Sequence, residues 1–497
     1  MQDSFEVIVV GGGGAGYAAA STAARLGRRV AMVERAELGG TCLNRGCVPT
    51  KTLIRSAQVM EMIRRASEFG VDVGSVQLDY SRVRARKEAI IRGFSGEGPL
   101  ESLARQGIAL LRGSARFTDA HTLEIDGRPY RADRFIICTG STARLPDLPG
   151  LAAADAVTST EALALDALPR SAVIVGGGII ACEFASLWTA FGVEVTIIGR
   201  SLLTNEDPEV GETLAEAFER RGIRLARGRA ERVAGRGGER VVAVRGGDDA
   251  LEVTGDLLLL ATGRRALYDG LDLAAVGVAT DAQGIGTDER MRTNVSHVWA
   301  AGDVTGRHMY THSGDYGAEI AGWNAAGGEP ERRADFRVVP RPVFALPEVA
   351  AVGLTEAQAR AAGHDIEVAR VCYGDVSKAV IQGDDEGFCK IVADRGTGEL
   401  LGAAIIGASA TDLISEIAVA MQGGVSAYTL GHTLHPYPTL AELVRWTADQ
   451  IGKHLPLGEQ VRRAEARPLH PYAIGCWPER GSACRAEEHA LAAAPPG

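Results

Sequence analysis

The sequence predicts an α/β protein with two Rossmann-like dinucleotide-binding units, followed by a region of different pattern. Three observations carry that prediction. The apolar run Phe5–Val10 leads into Gly11-x-Gly13-x-x-Gly16, a helical stretch to Leu26, and a strand Arg29–Val33 that ends in Glu34. The arrangement recurs as a strand Ala172–Val175, then Gly176-x-Gly178-x-x-Ala181, a helix, and a strand Val193–Ile198 followed by Gly199 and Arg200. Each unit is closed by a later buried strand ending in Thr-Gly, at Arg134–Gly140 and Leu257–Gly263.

Each element has a physical reason. Runs of β-branched residues without polar alternation suit parallel strands buried on both faces. Gly11 permits a tight turn, Gly13 lets a pyrophosphate approach the backbone, and Gly16 allows close helix–strand packing. The helix N-terminus then faces the phosphates. Glu34, 23 positions after Gly11, can accept hydrogen bonds from ribose hydroxyls. In the second unit Gly176 and Gly178 repeat the first two roles, and Ala181 takes the third place. Two such sites imply two dinucleotides. The second strand ends without an acid, in Gly199-Arg200; a guanidinium matches phosphate geometry, which favours a 2′-phosphorylated nucleotide. A merely solvated arginine is the alternative.

Between the units lies Gly39-Gly-Thr-Cys42-Leu-Asn-Arg-Gly-Cys47-Val-Pro-Thr-Lys51. Val48-Pro49 suits a helix start, since proline's missing N–H costs nothing in the first turn. Leu53, Ile54, Ala57, Met60 and Ile63 then fall along one face. A thiolate just before a helix is stabilised by free N–H groups and the positive dipole end. Spacing alone leaves a redox pair, two structural thiols or a metal pair open, although no further zinc ligands lie nearby. Tyr80–Gln106 is expected as a basic, solvated helical region, and residues 107–134 as short strands with turns at Gly113 and Asp126-Gly127. Cys138 is expected as a packed core thiol, and Leu145–Gly150 as a linker.

The chain has 497 residues, enough for three or four domains, with 46% hydrophobic and 23% charged residues. A net charge of −10 gives no reason to expect nucleic-acid or anionic-membrane binding. No apolar run reaches the length of a membrane span, and the N-terminus lacks a signal core. Eight cysteines are too few for a secreted disulfide scaffold, so a cytoplasmic protein is expected, with any disulfide catalytic.

The segment GGTCLNRGCVPTK resembles the redox-active disulfide segment of the flavoprotein disulfide reductases, which include lipoamide dehydrogenase, glutathione reductase and mercuric reductase. The resemblance implies FAD at the first site, NAD(P)H at the second, and a C-terminal α+β dimerisation domain. Residues 1–148 and 266–336 then form a split FAD domain, 149–265 the NAD(P)H domain, 337–460 the interface domain, and 461–497 a cysteine-containing tail. It further implies that Thr41, Thr139, Gly140, Asp303 and His312 lie along the FAD, Asp303 at its ribityl chain, and that Gly263 belongs to the second cofactor site. Cys47 is implied as the flavin-contacting thiolate, Cys42 as the exchanging thiol, and Lys51 as the partner of Glu183. The implied assembly is a homodimer with each active site shared between chains. NADPH is the expected reductant, with NADH the alternative, because relatives that use NADPH often carry a second arginine where this chain has Glu206.

The informative departure is at His435-Pro-Tyr437-Pro-Thr-Leu-Ala-Glu442. Disulfide-reducing relatives have a histidine where Tyr437 stands, oriented by a glutamate at the place of Glu442. A phenol, ordinarily ionising near pH ~10, is a poor base but can donate a hydrogen bond or approach a soft metal. Tyr437, Ile179 and the segment from Gly199 to Glu212 resemble mercuric reductases and their relatives. The metal-binding candidates are Cys42 and Cys47, with the tail cysteines Cys476 and Cys484 as a delivery pair. The expected function is therefore NADPH-dependent reduction of Hg(II) or a related soft metal through FAD and the Cys42–Cys47 disulfide. The alternatives are reduction of a small disulfide, such as glutathione or lipoamide, with His435 as base, and a non-catalytic flavin-binding redox-sensing subunit. The intact Cys42, Cys47, Lys51, Glu183 and Glu442 speak against the last.

Overall fold

The computed structural model describes residues 4–95, 97–246 and 249–454. These residues group into two compact units: those up to Arg200 together with Arg221–Phe336, and Ser201–Arg220 together with those from Arg337 on.

The first unit holds both predicted nucleotide folds. In its seven-stranded sheet the strand Ser4–Val10 lies between Val30–Glu34 and Arg128–Ile137, parallel to both, with Val9 in register with Met32 and Ile136. Val298–Ala300 extends the parallel part beyond Phe135–Ile137. Both faces of the central strand are covered. Phe5, Ile8 and Val10 enter one core, Val7 and Val9 the other, which is why the run carries no polar alternation. The helix Gly14–Arg25 packs against the helix Thr311–Ala325 at backbone range; a Cβ on Gly322 would stand 2.5 Å from the Ala19 carbonyl. The second nucleotide fold is a four-stranded parallel sheet in the order Arg224–Arg227, Glu194–Gly199, Ser171–Val175, Leu257–Leu260. A three-stranded antiparallel sheet, Arg229–Arg236, Glu239–Gly246 and Asp249–Gly255, adds to its core through Val233, Val242 and Val253.

Two expectations are refined. The basic helical region consists of two helices, Tyr80–Ser95 and Glu97–Arg105. Pro99 sits in the first turn of the second, where its missing N–H is tolerated. The cysteine segment also carries a short helix of its own, Gly40–Arg45, before the helix Cys47–Arg64.

The second unit is a five-stranded antiparallel sheet in the order Arg341–Val343, Val349–Gly353, Leu400–Ile406, Phe388–Asp394, Ile366–Cys372. The helices Ala410–Gln422 and Ala441–Gly452 cover it through Ile414, Ile417, Leu443, Val444 and Ile451. The helix Pro208–Arg220 belongs here because ion pairs fasten its start. The buried Lys390 Nζ lies 2.6 Å from Glu209, 2.9 Å from Glu356 and 3.5 Å from Asp207. Glu206 grips Arg341 through two 2.8 Å hydrogen bonds. Two Rossmann-like sheets and a C-terminal antiparallel sheet are the predicted fold class. Among the described residues no helix is long and apolar enough to cross a membrane.

Candidate active site

The cysteine segment is joined to the first glycine turn by backbone. Gly39 N–H donates to the Gly12 carbonyl at 2.8 Å, and Gly39 bridges Gly13. Gly40, at φ +56°, approaches so closely that a Cβ there would lie 2.9 Å from Gly13 Cα. Any larger residue would separate the cysteines from the nucleotide turn. Asn44 Nδ2 donates to the Leu38 and Gly40 carbonyls, and Thr50 Oγ1 to Gly46 O at 2.6 Å, which sets the chain between the two short helical starts.

Cys42 lies on the Gly40–Arg45 helix, and Cys47 is the first residue of the next. Both are free thiols here and half-buried. A hydrogen bond from Cys42 pulls the Cys47 thiol down to about 6; the Thr311 hydroxyl, 3.4 Å away, and the Lys51 charge help, against burial and Glu183. The same bond, together with burial, pushes Cys42 well above the usual thiol range. The pair is thus polarised, with the thiolate at Cys47 on the helix N-terminus and the proton at Cys42. One turn past Cys47, Lys51 Nζ holds both oxygens of the buried Glu183 at 2.7 and 2.9 Å. Those five side chains form one cluster, as the sequence led one to expect for four of them.

The residues present fit a bound dinucleotide at the first turn. A Cβ on Gly11 would stand 2.3 Å from the Cys138 carbonyl and one on Gly16 1.8 Å from the Gly11 carbonyl, whereas one on Gly13 would only touch Gly40 Cα at 3.8 Å. The helix Gly14–Arg25 starts with no side-chain cap, leaving its first N–H groups for phosphate. Glu34 accepts from Gly12 N and Ala36 N, each at 2.7 Å, and so stands at the turn. Asp303 accepts from Ser141 Oγ, which in turn accepts from Arg264 Nε at 2.7 Å. Thr139 spends its hydroxyl on the Leu267 carbonyl at 2.5 Å, and Gly140 O accepts from Leu267 N, so these two tie the sheet end to the following segment. His312 is exposed and stacked on Tyr310. Asp315, one turn past Thr311, has a buried Oδ1 without a hydrogen-bond partner, and burial raises its carboxyl above the usual range. That oxygen fills the space a side chain on Gly14 would need, 2.7 Å from its Cβ position.

The second turn repeats the design. Gly176 would strike the Ala261 carbonyl at 2.3 Å, Gly178 faces space, and Ala181 is buried. Gly263 is left-handed at φ +103°, and Arg200 is exposed. Thr311, Ser141, Arg264 and Asp315 were not foreseen. No periodicity marks them; only the neighbourhoods of His312 and of the second Thr-Gly ending pointed near.

In the second unit Tyr437 is 62% exposed and its hydroxyl donates to Ser377 Oγ at 3.4 Å. The buried Glu442 accepts from Thr439 N rather than from the phenol. His435 is held at both nitrogens: Nε2 lies 2.6 Å from Glu416 Oε1 and Nδ1 2.8 Å from the Thr433 carbonyl. Cys476 and Cys484 lie outside the described residues. Among those described, no group of three or more His, Cys, Asp or Glu is arranged to hold a metal ion.

Residues 5–324 match the family model for pyridine nucleotide-disulphide oxidoreductases, and residues 339–448 the model for the dimerisation domain of that family. Dihydrolipoyl dehydrogenase of Chlorobaculum tepidum is 39% identical over 457 residues, covering 89% of this chain and 96% of the relative. Mercuric reductase of Lysinibacillus sphaericus is 34% identical over 460 residues, covering 91% of this chain and 84% of the relative. Among solved structures, the HOCl-induced flavoprotein disulfide reductase RclA from Escherichia coli superposes with a TM-score of 0.80 at 29% identity, over 89% of this chain and 99% of RclA. A Cu(II) complex of RclA matches with the same TM-score at 28% identity. Relatives thus divide between dihydrolipoyl dehydrogenases and mercuric reductases, so the expected special likeness to mercuric reductase is not what these similarities single out. Taken with the polarised Cys42–Cys47 pair and the two glycine turns, they show that the chain belongs to the pyridine nucleotide-disulphide oxidoreductase family, flavoproteins that use FAD and NAD(P)H.

Proposed function

We propose that the protein is an NADPH-dependent reductase of a thiophilic acceptor, Hg(II) or a related soft metal ion, working as a homodimer in a reducing cytoplasm. The observation that carries this reading is the absence of a free imidazole at the family's base position. Tyr437 stands there, and the neighbouring His435 has both nitrogens engaged by Glu416 and Thr433. A soft metal asks for two sulfur ligands and little proton transfer at substrate sulfur.

Bound FAD supplies the two-electron relay between the nicotinamide and the Cys42–Cys47 pair. The chain's own residues do the rest. Thr311 and Cys42 donate to the Cys47 sulfur and keep it a thiolate. Lys51, neutralised by Glu183, holds a positive charge one helical turn away. Cys42 keeps its proton until an acceptor arrives, then exchanges it for the metal. Overall NADPH gives up two electrons and a proton, and Hg(II) leaves as Hg(0). Arg200 and the lack of a strand-end acid support NADPH over NADH. Large exposed apolar side chains on the second unit, Leu434 at 93%, Val419 at 73% and Ile381 at 63%, support burial against a second copy.

A second reading, reduction of a small disulfide, is favoured by the 39% identity to a dihydrolipoyl dehydrogenase. It needs His435 to leave Glu416 and act as the base. Anaerobic NADPH oxidation, with Hg(II) in excess thiol set against oxidised glutathione and lipoamide, separates the two. Metal-dependent turnover abolished in Cys42→Ala supports the first; disulfide turnover abolished in His435→Ala supports the second. No turnover with any acceptor supports a redox-sensing subunit.

A further inference from the structure

We propose that Arg227 is the second arginine of the nucleotide 2′-phosphate site, closing on the phosphate from the neighbouring strand while Arg200 closes on it from the strand end. This rests on the reading that the second turn takes NADPH.

The strands Glu194–Gly199 and Arg224–Arg227 run parallel and end side by side, with Gly199 in register with Arg227. Gly228 N–H donates to the Gly199 carbonyl at 3.1 Å and locks that end. Gly199 itself abuts the glycine turn; a Cβ there would lie 3.4 Å from Gly177 N. Arg200 and Arg227 therefore flank the one point where a ribose leaving the turn meets the strand ends. At the end of the short strand Ala226 is buried in the sheet core and Arg227 is exposed.

Neither guanidinium is engaged: among the described residues, Arg200 and Arg227 hold no hydrogen bond or ion pair. Nearby arginines are spent elsewhere, Arg224 on Thr196, Arg245 on Glu231, and Arg170 on Asp256 and Glu239. Glu206, which stands where relatives place a second arginine, grips Arg341 in the second unit. That loop therefore brings no positive charge, and the strand beside Gly199 brings one instead. Two guanidinium forks suit a phosphate dianion, which takes paired charge-assisted hydrogen bonds.

The test is direct binding of 2′,5′-ADP and of 5′-AMP to the flavin-loaded protein by calorimetry, repeated in Arg227→Ala and Arg200→Ala. The expected wild type binds 2′,5′-ADP more tightly, and added salt narrows the gap. Arg227→Ala is expected to weaken 2′,5′-ADP about tenfold and to leave 5′-AMP unchanged, with KM for NADPH raised and kcat kept. If the wild type prefers 2′,5′-ADP, Arg200→Ala loses the preference and Arg227→Ala keeps it, the Arg227 proposal is overturned while the NADPH reading stands. Equal weakening of both ligands in Arg227→Ala also overturns it, as a general disturbance. A wild type indifferent to the 2′-phosphate overturns the NADPH reading, and this proposal with it.

Discussion

The two glycine turns can be laid over one another residue by residue. Gly11 at φ +112° lies against the Cys138 carbonyl, and Gly176 at φ +122° against that of Ala261; a Cβ would meet either oxygen at 2.3 Å. A Cβ on Gly13 would make only an ordinary 3.8 Å contact with Gly40 Cα, and one on Gly178 would meet nothing within 4 Å. They part at the third position and at the following strand end. Gly16 presses to within 1.8 Å, measured from a Cβ position, of the Gly11 carbonyl, whereas Ala181 fits in its turn. Glu34 turns back onto the backbone of the first turn, whereas Arg200 stands exposed. The first turn is bonded to the cysteine segment through backbone, Gly39 N–H to the Gly12 carbonyl, whereas the helix of the second turn meets it through the Glu183 side chain on Lys51. Backbone sterics shape both turns as cradles, and on the reading proposed above the strand-end side chain decides which nucleotide each accepts.

The largest expected effect breaks the packing difference. Gly16→Ala forces the first turn apart and costs about 3 kcal/mol or more, seen as a lower melting temperature and loss of bound flavin. Ala181→Gly costs only about 1 kcal/mol and keeps nucleotide binding. Equal losses in the two would contradict the assigned packing. Next, exchanging the strand-end charge, Arg200→Glu, is expected to move the NADPH-to-NADH ratio of kcat/KM about 100-fold toward NADH. A third prediction concerns the bond between the two halves: Lys51 follows the cysteines and Glu183 lies on the helix of the second turn. Lys51→Met removes the cation that faces the buried Glu183 carboxylate and lowers stability by about 2 kcal/mol in denaturant unfolding, the partial exposure of Lys51 tempering the loss. Lys51→Met together with Glu183→Gln should recover most of it.

The smallest effect is one of pH. Only the thiolate is nucleophilic, so with Cys47 lowered to about 6 its alkylation in the reduced protein rises through that pH and levels off above it. Cys42→Ala removes the leading cause of the shift and moves the midpoint up by about one pH unit. A midpoint near that of a free thiol, about 8.5, in the unaltered protein would remove the polarised pair from the account.

The sequence showed both turns because their constraint is local: a glycine at positive φ beneath a carbonyl leaves a mark at a fixed spacing. The pairing of Lys51 with Glu183 was legible only through family resemblance, since 132 positions separate them. Thr311 and Arg264 escaped notice because their roles depend on where a distant helix and a distant short strand begin. The short helix carrying Cys42 escaped because its starts at Gly39 and Gly40 are left-handed turns that propensity does not favour. His435 is a candidate replacement base on a loop; its partner Glu416, 19 positions earlier on the helix Ala410–Gln422, could not be read from spacing.

The most direct measurement counts thiols in the segment that joins the two cradles. The oxidised, flavin-loaded protein is incubated anaerobically with and without NADPH, alkylated, digested and weighed by mass spectrometry. The account predicts that the peptide bearing Cys42 and Cys47 gains two alkyl groups with NADPH and none without. Labelling that is the same in both samples would contradict it.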